Sequence, residues 1–202
     1  GAKANDTVTI GLKLAPTNLD IRNTAGSAID QVLIGNVYEG LVARDEHNQV
    51  VPAIAKTWDV SDDGTTYTFH LNDGMTFSNG DKLDADDVAW SINELVTKQY
   101  HDADSLVNFV SVKASDPNTV ELKLSAPYAN LLWVLTGRPG LVFDKDAKYD
   151  AKTQAIGSGP YTVEKFVTNS SITLKRTPTT GAPTRRRPTR SSCGISPTTT
   201  RP

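Results

Sequence analysis

Hydrophobic residues recur along this chain at two spacings, and each change of spacing predicts a change of element. Val8, Ile10, Leu12 and Leu14 alternate with polar neighbours, the period-two signature of a half-buried strand over residues 7–14. After the loop Pro16-Thr17-Asn18-Leu19-Asp20, the spacing turns helical at Ile29, Val32, Leu33 and Val37. Ser27 is placed to cap that helix and Gly40 to stop it. Burying the four apolar side chains contributes about 1.5–3 kcal/mol each before conformational entropy is charged, so the helix reads as core.

From Ala43 to about Leu124 the pattern shortens into strands punctuated by turns. Asp62-Asp63-Gly64 separates an apolar run at Trp58 and Val60 from one at Tyr67, Phe69 and Leu71, which predicts a hairpin. Asn72-Asp73-Gly74 and Ser78-Asn79-Gly80-Asp81 supply further turns, because Asn and Gly accept positive φ. A helix begins at Asp84, which caps it, while Asp86 and Asp87 complement its dipole. Its apolar face is Val88, Ile92, Leu95 and Val96. Strands around Phe109–Val112 and Val120–Leu124 flank the turn Asp116-Pro117-Asn118. Pro127 then opens a helix carrying Leu131, Leu132, Val134 and Leu135, and Gly137 closes it. Gly157-Ser158-Gly159-Pro160 leads into two last strands, Tyr161–Val167 and Ile172–Arg176. The order is mixed and without repeats, which places the fold class as α+β.

Composition adds exclusions. No apolar run approaches the roughly 20 residues of a transmembrane helix. The start, Gly1 to Asp6, is polar and lacks the apolar stretch of a signal peptide, so the chain is either cytosolic or has lost a leader. The one cysteine, Cys193, offers neither a disulfide framework nor zinc spacing, and its absence from residues 1–176 suits an exported protein. Five arginines after residue 176 face no acid there, so the other 16 basic residues oppose all 23 acidic ones in the body. An acidic body argues against nucleic acid as a partner.

Chemistry is hard to find. His47, His70 and His101 are scattered without metal-ligand spacing. Gly157-Ser158-Gly159 lacks the Gly-x-Ser-x-Gly spacing of a nucleophile elbow and reads as a turn. Neither phosphate-loop nor dinucleotide fingerprints occur. Asp84, Asp86 and Asp87 fit helix capping better than a cation site, and Trp58, Trp90 and Trp133 fit core positions better than a sugar platform. Composition and spacing alone therefore stop at an α+β domain without an evident catalytic group, metal or cofactor, and no residue set supports an enzyme.

A resemblance sharpens this. Asn36-Val37-Tyr38-Glu39-Gly40-Leu41-Val42, followed by Val51-Pro52-Ala53-Ile54-Ala55-Lys56-Thr57-Trp58, resembles the ordered signature of oligopeptide-, dipeptide- and nickel-binding proteins of bacterial ABC importers. The likeness continues through Asp62–Leu71, Gly74–Asp81 and Leu83–Ser91, and Ile156-Gly157-Ser158-Gly159-Pro160-Tyr161 is similar to a late turn of that family. It implies a periplasmic-binding-protein type of fold with an incomplete lobe I, the family's extra middle domain, and the third lobe absent. The divisions are 1–43 for the first part of lobe I, 44–155 for the middle domain, 156–176 for the return to lobe I, and 177–202 for a tail foreign to the family.

The implied function is capture of short peptides outside the cytoplasmic membrane, in the periplasm or on a lipid-anchored surface protein, and delivery to an ABC permease. Nickel complexes or oligosaccharides are alternative ligands, and a self-associating fragment without ligand binding is the rival reading. Thr24, Ala25, Gly26 and Ser27 are the ligand candidates; they either offer backbone groups to a peptide or merely cap the helix that follows. Ile21 stands where the family has proline, which leaves the register of this loop open.

After Arg176 the family-like text stops. The run Thr177-Pro178-Thr179-Thr180-Gly181-Ala182-Pro183-Thr184 and the Arg- and Thr-rich remainder predict disorder. The family continues here with Asn-Pro-Asp-Tyr-Trp-Gly. Reading codons for that motif extended by Ala-Asn, with one leading base deleted, yields Thr-Pro-Thr-Thr-Gly-Ala-Pro, which suggests truncation by a frameshift. The codons were chosen to fit; sequencing the template in both frames tests the idea.

Overall fold

The computed structural model describes residues 7–11 and 16–177. Leu12, Leu14 and the tail after Thr177, with its predicted disorder, lie outside the described residues.

The alternating segment at the start forms β1 (Thr7–Gly11). It pairs antiparallel with β9 (Ser171–Arg176), Thr7 opposite Lys175 and Ile10 opposite Ile172. In turn β9 pairs with β8 (Tyr161–Val167), giving a three-stranded sheet in the order β1-β9-β8. Two segments some 160 residues apart in the chain thus share one sheet. The helix α1 (Ser27–Leu33) packs Ile29, Val32 and Leu33 inward, and with Leu19, Ile21, Val37, Tyr38, Leu141, Phe143, Ile172 and Leu174 they make one buried cluster.

The helix is shorter than its apolar spacing predicts. Gly26, not Ser27, occupies the capping position, with φ +124° and no side-chain cap. At the other end Ile34 is already extended and Gly35 takes φ +79°, a conformation that ends a helix readily only at glycine. Val37 is buried from the turn beyond the helix, and Gly40 lies in a bridge to Leu141.

Between these segments a second cluster forms around a four-stranded antiparallel sheet. A two-stranded ribbon, β2 (Val42–Arg44) with β3 (Val50–Pro52), leads into it. The sheet contains β4 (Ala55–Val60), β5 (Thr66–Leu71), β6 (Phe109–Asp116) and β7 (Thr119–Leu124), in the order β4-β5-β7-β6. Alternation decides its faces. Tyr67, Phe69 and Leu71 point inward with Val120, Leu122 and Leu124, while Thr66, Thr68 and His70 lie on the other face.

Packed on the apolar face is α2 (Ala85–Thr97), which buries Val88, Ala89, Ile92 and Leu95. Its start is a capping box: Asp84 accepts from the Asp86 amide, and the Asp87 carboxylate accepts from the Asp84 amide at 3.1 Å. Asp87 is therefore a buried member of the box, beyond the dipole partner expected. The helix expected from Pro127 shrinks to α3 (Leu131–Val134), with Asn130 at its N-terminal boundary and no side-chain cap, and Gly137 instead precedes a short 3-10 turn over Arg138–Gly140.

The late glycine turn closes on the segment after α1, within the cluster under the three-stranded sheet, while its Gly157 carbonyl accepts from the Ser78 amide of the other unit at 2.8 Å. The Gly159 amide donates to the Val37 carbonyl and the Tyr161 amide to that of Asn36, both at 2.9 Å. A side chain at Gly157 or Gly159 would collide with the backbone of Asn36 and Val37. The two motifs that carried the resemblance are the halves of one backbone contact.

Candidate functional site

The loop after Leu19 is fixed first by its own polar residues. Asn18 Oδ1 accepts from the Asp20 amide at 2.9 Å and from the Thr24 hydroxyl at 2.7 Å. Asp20 accepts from the Arg22 amide and, at 2.8 Å, from the Asn23 side chain. These short-range bonds are the turn chemistry that Asn and Asp supply. Neighbouring segments then pin the loop: the Leu19 amide donates to the Lys152 carbonyl, and the His101 amide to the Arg22 carbonyl, both at 2.8 Å.

Arg138 does most to fix it. Only 6% exposed, it donates to the carbonyls of Ile21, Thr24 and Gly26 at 2.7, 2.5 and 3.1 Å and to the Asp30 carboxylate at 2.6 Å. A buried guanidinium is tolerated only when its donors are spent in this way. Burial pushes the Asp30 carboxyl above the usual aspartate range, although Arg138 pulls it down. Alongside, the Arg22 guanidinium stacks 5.1 Å from the Tyr100 ring centre and 4.7 Å from that of Phe143. Arg138 escaped the sequence reading because an isolated arginine before proline carries no motif. The excess of loop carbonyls over nearby donors was its one signal, and that needs coordinates.

The four predicted residues fall together on this loop. The Thr24 and Gly26 carbonyls each already accept from Arg138. Ala25, Gly26 and Ser27 are exposed, and among the described residues no acceptor is bonded to their amides. What the loop can offer is three amides without a bonded acceptor among the described residues, on a loop held by Arg138. The cavity behind it, between Arg22, Ser91, Tyr100 and Phe143, has a volume of about 10 Å³, room for about one water molecule. The histidines stay apart: His47 beside Glu46, His70 on Asp59, and His101 near Asp102. Among the described residues no group of three His, Cys, Asp or Glu is placed to hold a metal, and no helix is long and apolar enough to cross a membrane.

Solved structures of periplasmic-binding-protein type superpose on this fold. NikA from Brucella suis, in complex with Fe(III)-EDTA, does so with a TM-score of 0.69 at 26% identity, over 86% of this chain and 36% of that one. Residues 49–184, more than half of the chain, match the family described as bacterial extracellular solute-binding proteins, family 5 Middle, and the chain belongs to that family. It is 29% identical over 182 residues to the peptide transport periplasmic protein SapA of Salmonella typhimurium, covering 76% of this chain and 33% of that protein. A dipeptide-binding protein of Escherichia coli is 31% identical over 155 residues, 63% of this chain and 29% of its own length. The chain spans about a third of the length of the curated relatives it matches.

Proposed function

We propose that this chain carries part of the solute-binding component of an ABC importer, which captures short peptides outside the cytoplasmic membrane and hands them to a permease. The observation that carries this reading is the pairing of β1 with β9, which joins the two ends of the family-like stretch in one sheet, over the cluster that also buries Leu19, Ile21 and Ile29 on either side of the loop at Thr24–Ser27. In this reading residues 1–43 and 156–176 belong to lobe I and residues 44–155 to the middle domain, with Leu141 and Phe143 reaching back into the lobe I cluster. The amides of Ala25, Gly26 and Ser27 meet carbonyl or carboxylate oxygens of a peptide. Arg138 keeps them in place. In this reading the facing half of the cleft is supplied by the part of the relatives' length that this chain does not span.

Calorimetric titration with mixed di- and tripeptides tests both parts. The chain alone gives no micromolar binding, and the same chain extended with the remaining two thirds of a relative does. Micromolar affinity for the chain alone overturns the divided cleft, and none for the extended protein overturns peptide capture.

A further inference from the structure

Two arginines and a histidine, Arg22, Arg138 and His101, line the small cavity behind the loop, and among the described residues no aspartate or glutamate does. Arg138 has spent its donors: Nε on Asp30, Nη1 on the Ile21 and Thr24 carbonyls, and Nη2 on that of Gly26. Arg22 has not. Tyr100 and Phe143 hold its guanidinium against their ring faces, and among the described residues no carbonyl, hydroxyl or carboxylate accepts from it. Contact with a ring face eases the charge but supplies no acceptor for the N–H groups. The Ser91 hydroxyl, also in the lining, is already engaged: it accepts from the Phe143 amide at 2.8 Å and donates to the Asp87 carbonyl at 2.7 Å. Leu95, Pro139 and Leu141 add apolar wall.

The geometry points to a halide site: one chloride ion in this cavity, on the free donors of Arg22, tying the base of the loop to Tyr100 and His101 beyond α2. Charge selects an anion. Arg138 is balanced by Asp30 at 2.6 Å and His101 faces Asp102 at 3.5 Å, whereas Arg22 has no counter-charge among the described residues. Size selects a monatomic one, because about 10 Å³ admits one guest of roughly water's size and shuts out carboxylate, phosphate and sulfate. A water molecule supplies an acceptor but leaves the charge of the half-buried Arg22 uncompensated.

The walls come from three segments: Ile21 and Arg22, then α2 with Tyr100 and His101 after it, and then the stretch from Arg138 to Phe143. The His101 amide already bonds the Arg22 carbonyl at 2.8 Å, and the ion makes a second tie across the same join. The site stands apart from peptide capture and needs no part of that reading.

Urea unfolding of the full chain in sodium chloride, with sodium gluconate making up a constant ionic strength, tests it. A ligand of the folded state alone lowers the unfolding constant about tenfold for each tenfold of its concentration above Kd. The wild type follows that dependence, and the Arg22 and His101 amide resonances shift along a saturation curve with the same Kd. Sodium bromide moves those two amides as chloride does; sodium sulfate leaves them in place. Arg22→Met keeps a stem over the rings, loses the charge and gives a flat chloride response. Equal stability in chloride and gluconate, or a chloride response retained in Arg22→Met, overturns the site. If that variant does not fold, crystals of the wild type soaked in bromide decide. An anomalous peak within hydrogen-bond reach of the Arg22 guanidinium supports the site; no peak there, or an adventitious ion only at the surface, overturns it.

Discussion

The two buried clusters of this chain are built by opposite routes. The one under the four-stranded sheet draws 24 buried residues from a single stretch, Leu41 to Val142. The one under the three-stranded sheet has 11 among the described residues, collected from residues 19–38, from Leu141 and Phe143, and from Ile172 and Leu174. A continuous stretch repays its ordering with nearby contacts, whereas the gathered cluster must close long loops first. The second cluster should therefore depend on the first, and not the reverse.

The largest expected effect tests that dependence. Phe69, fully buried at the centre of the four-stranded unit, costs about 3–5 kcal/mol when changed to alanine. Trp58, whose ring centre is 6.5 Å from that of Phe69, reports the loss directly by fluorescence. Ile172→Ala in the gathered cluster removes a similar side chain and costs about 2–5 kcal/mol, yet amide exchange in α2 should hardly change. Equal loss of α2 protection in both variants would merge the two clusters into one cooperative block and end the distinction.

Arg138→Met comes next. It leaves three carbonyls and Asp30 without their donor, and since the Asp30 side chain is 36% exposed, water recovers part of the loss. The expected cost is about 2–3 kcal/mol, with exchange of the 20–26 loop amides accelerated before any other segment. Asp30 is already raised, chiefly by burial, and losing Arg138 raises it further. A raised carboxyl favours the fold below its unfolded pKa, so denaturation midpoints of the variant and the wild type should converge as pH falls towards about 4.

Where local chemistry set the structure, it was legible. The Asp62-Asp63-Gly64 hairpin, the alternation at Tyr67, Phe69 and Leu71, and the helix starting after Asp84 all depend on neighbours in sequence, and they formed as read. Local signals failed at α1 and α3. Val37 has helical spacing from Leu33, but its burial comes from a turn packed against Gly157 and Gly159, more than a hundred residues away. Pro127 opens no helix, because α3 waits until Leu131. The candidate loop was read from its likeness to a family motif at Leu19-Asp20, and its role toward a ligand is a proposal. That two of its carbonyls belong to Arg138 was beyond any periodicity, since the partners lie 114 and 112 residues apart.

Gly157→Ala probes the seam between the clusters. An added methyl meets the Val37 backbone and the Tyr38 ring, and backbone cannot rotate away as a side chain can. Overpacking of this kind costs about 1–3 kcal/mol. The comparison predicts where it falls: Trp90, packed on the gathered cluster, should change its emission while Trp58 does not. Equal change at both would mean that the seam supports the four-stranded unit as well.

The smallest effect concerns the two helix starts. At α2, Asp84 and Asp87 satisfy each other's end of the capping box; α1 begins at Gly26 with no side-chain cap. Replacing Asp84 with alanine frees the Asp86 amide and should cost about 1 kcal/mol, read as a drop in the urea midpoint at unchanged slope. Because α2 covers the sheet face at Val112 and Leu122, its fraying should expose that face and speed exchange in β6 before β9. No matching cap can be lost at α1, whose first turn is held by Arg138 on Gly26 and Asp30 instead. A helix inside the continuous stretch thus carries its own start signal, while the helix of the gathered cluster takes its start from a residue more than a hundred positions away. If Asp84→Ala destabilised β9 as much as β6, the caps would be serving one shared core and that difference of origin would have no energetic consequence.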